Sequence, residues 1–226
     1  MSPKRVIAAF LALVALAAPQ LGAAASAAPT LAVAATPRGS HVLGRANAPL
    51  KVVEYVSYTC PHCAAFEREA ADPLLDMVAR SGRGTVEYRP MMRNIVDVAA
   101  TLMAGCGPVS RFPGNHAALL RGQDKWLVPP QNSQPDRWRT GSFLARMQAV
   151  AQDMNLYTLF EERGYTRAEL DRCLANEAQA NAFAAENRQA MAGLNLKGTP
   201  SFLINGVLQP GNDWASLRPA LAAALR

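Results

Sequence analysis

Apolar positions change their spacing several times along this chain, and each change marks an element. Val6 to Ala18 is an apolar run of about thirteen residues behind Lys4 and Arg5, short for a bilayer span. From Ala28 to Pro49 no period holds, and Pro29, Pro37, Gly39, Gly44 and Pro49 punctuate it, which predicts a tether. Val52, Val53, Tyr55, Val56 and Tyr58 then form an almost continuous β-branched and aromatic run, the pattern of a strand covered on both faces. Ala64 to Ala79 favours a helix, with a kink expected at Pro73 and a stop at Ser81-Gly82. Thr85 to Arg89 alternates as a second strand, so strand, helix and strand predict a parallel pair with a right-handed crossover.

Beyond Ile95 the period turns helical and stays so to Gly193. Val96, Ala99, Ala100 and Met103 share one face; Phe143, Leu144, Met147, Val150 and Met154 share another. Asn132-Ser133-Gln134-Pro135-Asp136 is the clearest internal break. Trp126, Trp138, Met103, Met147 and Met154 suit the core of such a region. Glu177 to Met191 reads as one long helix closing at Gly193. Lys197 to Ile204 is a turn feeding a strand, Asn205-Gly206 a hairpin turn into Val207-Leu208, and Asp213 a cap for a last helix that Pro219 interrupts. His41 is expected in a solvated loop, and His116 at a helix start or on the surface, without a partner.

Charge and leader bear on compartment. Removing Lys4 and Arg5 leaves 21 basic residues (23 less 2) against 17 acidic ones, a net charge of +4 with no basic run that suggests nucleic acid. The small residues Ala25-Ser26-Ala27 offer a cleavage site, so residues 1–27 are expected to be an export signal and the remainder to work where disulfides persist. A retained N-terminal anchor is the other possibility.

The first strand runs into Cys60-Pro61-His62-Cys63 and then into a helix. Two thiols at this spacing lie within reach of each other, so a bond between them can open and close. The helix N-terminus carries partial positive charge that favours a thiolate on Cys60. Such placement lowers a thiol from about 8.5 into the range of roughly 3.5–7.5. A stabilised thiolate leaves easily, which makes the disulfide form an oxidant. Other uses of the pair fail on particular residues. Haem attachment needs a histidine where Ala64 stands, and a structural zinc site needs a second close ligand pair that Cys106, Cys173, His41 and His116 do not supply. A staple across two residues closes almost no loop. No metal is expected.

Glu54 and the apolar-aromatic run into Cys-Pro-His-Cys, together with Gly198-Thr199-Pro200-Ser201-Phe202, resemble the DsbA-like thiol:disulfide oxidoreductases of the bacterial periplasm. That resemblance implies an α/β thioredoxin fold, a central mixed sheet flanked by helices, with an all-helical insertion. Residues 50–94 and 177–226 would form the thioredoxin-like part, 95–176 the insertion, and 28–49 the tether. It further implies that Cys60 and Cys63 are catalytic, with Cys60 the more exposed, and that Pro61 and His62 tune the thiolate. Thr199-Pro200 would be a cis-proline loop that meets the substrate chain. Glu54, an acid in an apolar strand, is either a solvated strand-end carboxylate or a buried group that exchanges the proton of Cys63; the family has an acid there. The implied partners are reduced or unfolded exported proteins and a membrane quinone-linked reoxidant, with no cofactor beyond the Cys60–Cys63 disulfide.

Cys106 and Cys173 stand 67 positions apart (173 less 106). In an oxidising compartment four cysteines divide into an active and a structural pair, and closing so long a loop contributes about 4 kcal/mol in the chain-entropy picture. A second redox pair is the alternative. The direction of electron flow stays open. Pro61-His62 favours an oxidase; Thr199 replaces the valine of the best-known oxidases and suits an isomerase or a reductase, including one for cytochrome maturation. The short stretch before Leu50 favours a monomer. A non-catalytic chaperone or a metal-binding module on the same fold remains a reading from a different class.

Overall fold

The computed structural model describes residues 31–128 and 135–226. The expected signal at 1–27 and the residues 132–134 of the expected internal break lie outside them. Six strands form one mixed sheet: β1 (Val33–Ala35), β2 (His41–Gly44), β3 (Leu50–Val56), β4 (Gly84–Pro90), β5 (Ser201–Ile204) and β6 (Val207–Leu208), in the spatial order β1-β2-β4-β3-β5-β6. β3 and β4 are the parallel pair; every other pairing is antiparallel.

The register follows from β3, whose two faces are both covered. Val52 and Val56 pack with Phe66, Ala70 and Leu74 of α1 (Pro61–Leu75), while Val53 and Tyr55 pack with Met91, Ala190, Leu196 and Leu203. Each fully buried aliphatic chain of this kind contributes roughly 1.5–3 kcal/mol. Pro73 does not end α1. The chain passes after it into a wider turn with i→i+5 bonding over Asp76–Arg80 and stops at Gly82 with φ at +72°.

Of the expected tether at 28–49, residues 28–30 lie outside the described residues, and 31–49 are more than a tether. β1 and β2 extend the sheet, with Leu43 opposite Val86 and fully buried. Strands of three and four residues are too short to display a period, which is why the proline and glycine punctuation dominated the sequence pattern.

Among the described residues of 95–176, six α-helices follow β4: α2 (Ile95–Ala104), α3 (Phe112–Arg121), α4 (Gln123–Trp126), α5 (Phe143–Asp153), α6 (Leu156–Glu161) and α7 (Arg167–Leu174). No strand interrupts them among the described residues. Met103, Met147, Val150, Trp126 and Trp138 are buried there, and the Trp126 indole donates to the Leu119 carbonyl at 2.6 Å. Cys106, just past α2, is bonded to Cys173 in α7 with a Cα–Cα separation of 5.6 Å. We expect the Cys106→Ala/Cys173→Ala protein to lose about 2–4 kcal/mol of unfolding free energy, read by urea melts, while a pair idle in folding would leave the midpoint in place.

α8 (Glu177–Leu194) runs past Gly193 and ends at Asn195, which takes the left-handed conformation (φ 52°) that asparagine tolerates. α9 (Trp214–Ala224) is capped by the Asp213 carboxylate accepting from the Ser216 N–H at 2.9 Å. It passes through Pro219 without a break, with Leu217 and Leu221 buried on either side. The two histidines differ from expectation. His41 lies in β2 with its ring stacked on Phe112 at 3.7 Å between centroids. Burial, and then the nearby His116, lower its pKa to about 4. His116 is buried in α3 and its Nδ1 lies 3.0 Å from the Tyr58 hydroxyl.

Candidate active site

Cys60 is the residue that opens α1. Its backbone is extended (φ −86°, ψ 121°), and Pro61 takes the first helical position, where no N–H is needed. Both thiols are buried, Cys60 at 2% and Cys63 at 0% exposure, so the expected contrast in exposure is absent at the level of the residue. What separates them is outlook: Cys60 lines an open cavity of about 710 Å3 with His62, Thr199 and Pro200, and Cys63 does not. Pro61 and His62 are exposed.

The two sulfurs are pushed in opposite directions. The Cys63 thiol donates to Cys60, and this is the largest influence holding Cys60 down. Burial opposes it; Thr199 and the backbone N–H groups of Cys63 and His62 add to it, and the Cys60 pKa settles at about 4. Cys63 is pushed far above an ordinary thiol by burial, then by its bond to Cys60 and by the charges of Cys60 and Glu54. One sulfur is a nucleophile and leaving group; the other keeps its proton.

The Thr199–Pro200 peptide is cis. As a thiol, Cys60 donates to the Thr199 carbonyl at 3.1 Å. Once ionised, sulfur accepts only donors, and the Thr199 hydroxyl, buried with no other partner, is placed to be one. Glu54 sits on β3 opposite Tyr88 and Phe202, on the face that carries Val52 and Val56 toward α1, and is 3% exposed. It is a buried group and not a solvated one. Burial first, and the charge of Glu67 second, raise its pKa well above the carboxylate range. A raised carboxyl contributes full stability below its unfolded value of about 4.3 and loses it as pH climbs through the folded value. We therefore expect Glu54→Gln, which cannot ionise, to gain stability relative to the parent as pH rises above 5. Parallel urea melts across pH measure it, and a constant difference would contradict the burial.

Two polar side chains that the sequence does not single out hold the approach to Cys60. Asp97, in the first turn of α2 and fully buried, accepts from the Ser57 hydroxyl (3.0 Å), the Thr59 N–H (2.9 Å), the Thr59 hydroxyl (3.1 Å) and the Arg93 N–H (2.9 Å). The Gln123 amide of α4 donates to the carbonyls of Tyr58 (2.7 Å) and Cys60 (3.1 Å). In the sequence, Asn94-x-x-Asp97 signals only a helix start, and Gln123 gives no signal.

Comparison with known proteins identifies the family and the fold. The thioredoxin family profile matches residues 36–222. The crystal structure of a protein-disulfide isomerase from Novosphingobium aromaticivorans is 43% identical, superposes with a TM-score of 0.77, and covers 83% of this chain and 97% of that one. The crystal structure of Wolbachia pipientis alpha-DsbA1 shares the fold at 17% identity, with a TM-score of 0.62 over 81% of this chain and 89% of that one. A protein of Rickettsia bellii provisionally named a protein-disulfide oxidoreductase is 25% identical over 81% of this chain. The chain spans 64% of that relative's length, and 54% of the similarly named protein of Rickettsia felis. The chain therefore belongs to the thioredoxin family, in the DsbA-like form whose sheet carries a helical insertion.

Proposed function

We propose that this protein is an exported thiol:disulfide oxidoreductase that introduces disulfides into other exported proteins. The observation that carries this reading is the asymmetry of the pair. A sulfur with pKa of about 4 faces an open cavity, and its partner is buried and kept protonated. In the oxidised state a client thiolate attacks Cys60 Sγ, forming a mixed disulfide and breaking the Cys60–Cys63 bond; the Cys63 thiolate takes up a proton. The client's second thiolate attacks its own sulfur in that bond and expels the Cys60 thiolate. Two electrons pass from the client dithiol to the protein; one client proton ends on Cys63 and the other in solvent. Glu54, buried and raised in pKa, is the group beneath the site suited to exchange the Cys63 proton.

A quinone-linked membrane partner is the proposed reoxidant and a monomer the proposed working form. An isomerase is the second reading. Thr199 before Pro200 favours it, as does the 43% identical relative described as a protein-disulfide isomerase. Refolding separates the two. An oxidase forms native bonds in a reduced substrate when given an oxidant, whereas an isomerase acts best on a fully oxidised, scrambled one. Cys60→Ala should abolish either activity. Retention of it in that variant would rule out thiol exchange, leaving a chaperone or metal-binding module.

A further inference from the structure

A second cavity adjoins the one at Cys60. It measures about 360 Å3 and is walled by Met91, Met92, Met191 and Leu196, with Met191 57% exposed. Arg93, Lys197, Gly198 and Thr199 line both cavities and form the ridge between them, with Arg93 and Lys197 its charged members. Both side chains are exposed, and no aspartate or glutamate lines either cavity.

Among the described residues neither cation has an acidic partner, and the two share both linings. Some cations on the molecule are paired, Arg80 with Asp72 and Asp76, Arg89 with Glu87 and Arg121 with Glu67, while others, Arg45 and Arg68 among them, resemble Arg93 and Lys197 in forming no ion pair among the described residues. Arg93 gives only its backbone N–H, to Asp97, and the Lys197 ammonium meets the neutral Asn195 side chain at 2.9 Å. Neither is among the groups that hold Cys60 ionised, so the thiolate does not account for them.

The geometry points to a client preference: cysteines flanked within about three residues by aspartate or glutamate, on an extended segment laid across the Arg93–Lys197 ridge with an apolar side chain in the methionine-walled cavity. It rests on the thiol-exchange reading of Cys60. Neighbouring residues of an extended segment are about 3.3 Å apart along its axis and point alternately to opposite sides, so a carboxylate near the client sulfur reaches the ridge. An acid beside a cysteine raises that thiol's pKa and slows its attack in water. Seated on the ridge, the carboxylate is met by cations and the handicap is offset. Methionine walls adapt to differing apolar neighbours.

The test uses the oxidised full chain and single-cysteine peptides identical but for acidic, neutral or basic flanks. Rates of mixed-disulfide formation are divided by the rates of the same peptides with hydroxyethyl disulfide, which removes intrinsic reactivity. The acidic peptide should exceed the basic one by about tenfold at low salt, and the gap should close at about 0.5 M salt. Arg93→Gln/Lys197→Gln should bring the acidic-to-basic ratio toward one. Equal corrected rates, or a preference that survives in that variant, overturn the proposal. Exchange with no peptide at all overturns the thiol-exchange reading beneath it.

Discussion

Reduced protein titrated in the ultraviolet should show thiolate absorbance appearing with a midpoint near pH 4, and the signal should vanish in Cys60→Ser. Cys63 should contribute nothing below the alkaline range, since burial and the neighbouring Cys60 keep its proton on. The same ionisation ties stability to pH. A folded pKa depressed below the unfolded one contributes stability that is complete only above the unfolded thiol's value of about 8.5, partial at neutral pH, and lost as pH falls through about 4. Oxidised protein has no thiolate and lacks this contribution. Reduced protein should therefore be the more stable form at pH 7, by on the order of 2–3 kcal/mol, less than the full shift implies because Cys60 faces an open cavity. The difference between the two forms' melts should shrink steadily toward pH 4. Its persistence at pH 4, or a thiol midpoint near 8.5, would remove the basis for an oxidising disulfide.

What the sequence reveals of this site is what the chain arranges locally. A β-branched run, a thiol, a proline at the first helical position and a second thiol one turn on require no long-range information, and β3, Cys60 and α1 stand where that pattern puts them. Period and length likewise mark the helices of 95–176. Legibility fails where a residue's role depends on a partner far along the chain. His116 reads as an isolated polar residue until α3 packs beside Tyr58, 58 positions away. His41 reads as a loop residue until β2 pairs with β4 and brings its ring onto Phe112. Glu54 left two readings because a strand does not announce which of its residues are roofed; α1 roofs this one. The ridge of Arg93 and Lys197 needs residues about a hundred positions apart to meet at one cavity wall.

Asp97 is the sharpest instance, and its removal should be the most damaging single change outside the cysteines. The carboxylate joins three segments: residues 57–59, which lead into Cys60; the Arg93 turn after β4; and the first turn of α2, where Asn94 accepts from the Asp97 N–H at 2.9 Å. Burial pushes its pKa up, but the N–H groups of Arg93 and Thr59 and the hydroxyls of Ser57 and Thr59 oppose that shift, so it still accepts as a hub. Asp97→Ala leaves the buried Ser57 hydroxyl and the part-buried Thr59 and Arg93 N–H groups without this acceptor, and an orphan costs roughly 1–3 kcal/mol where it is buried and less where water reaches it. A loss of about 3–4 kcal/mol is expected in urea melts. Asp97→Asn retains one acceptor oxygen and should lose about half as much. Because the Thr59 N–H lies one residue before Cys60, loosening this segment should also move the thiol: the Cys60 midpoint should rise in both variants as the helix start and the Thr199 side drift from the sulfur. A residue that merely filled space would lower stability and leave that midpoint near 4. Melts and thiolate titration on the same samples distinguish the two outcomes, and an unmoved midpoint in a destabilised Asp97→Ala would separate the hub from the chemistry it stands beside.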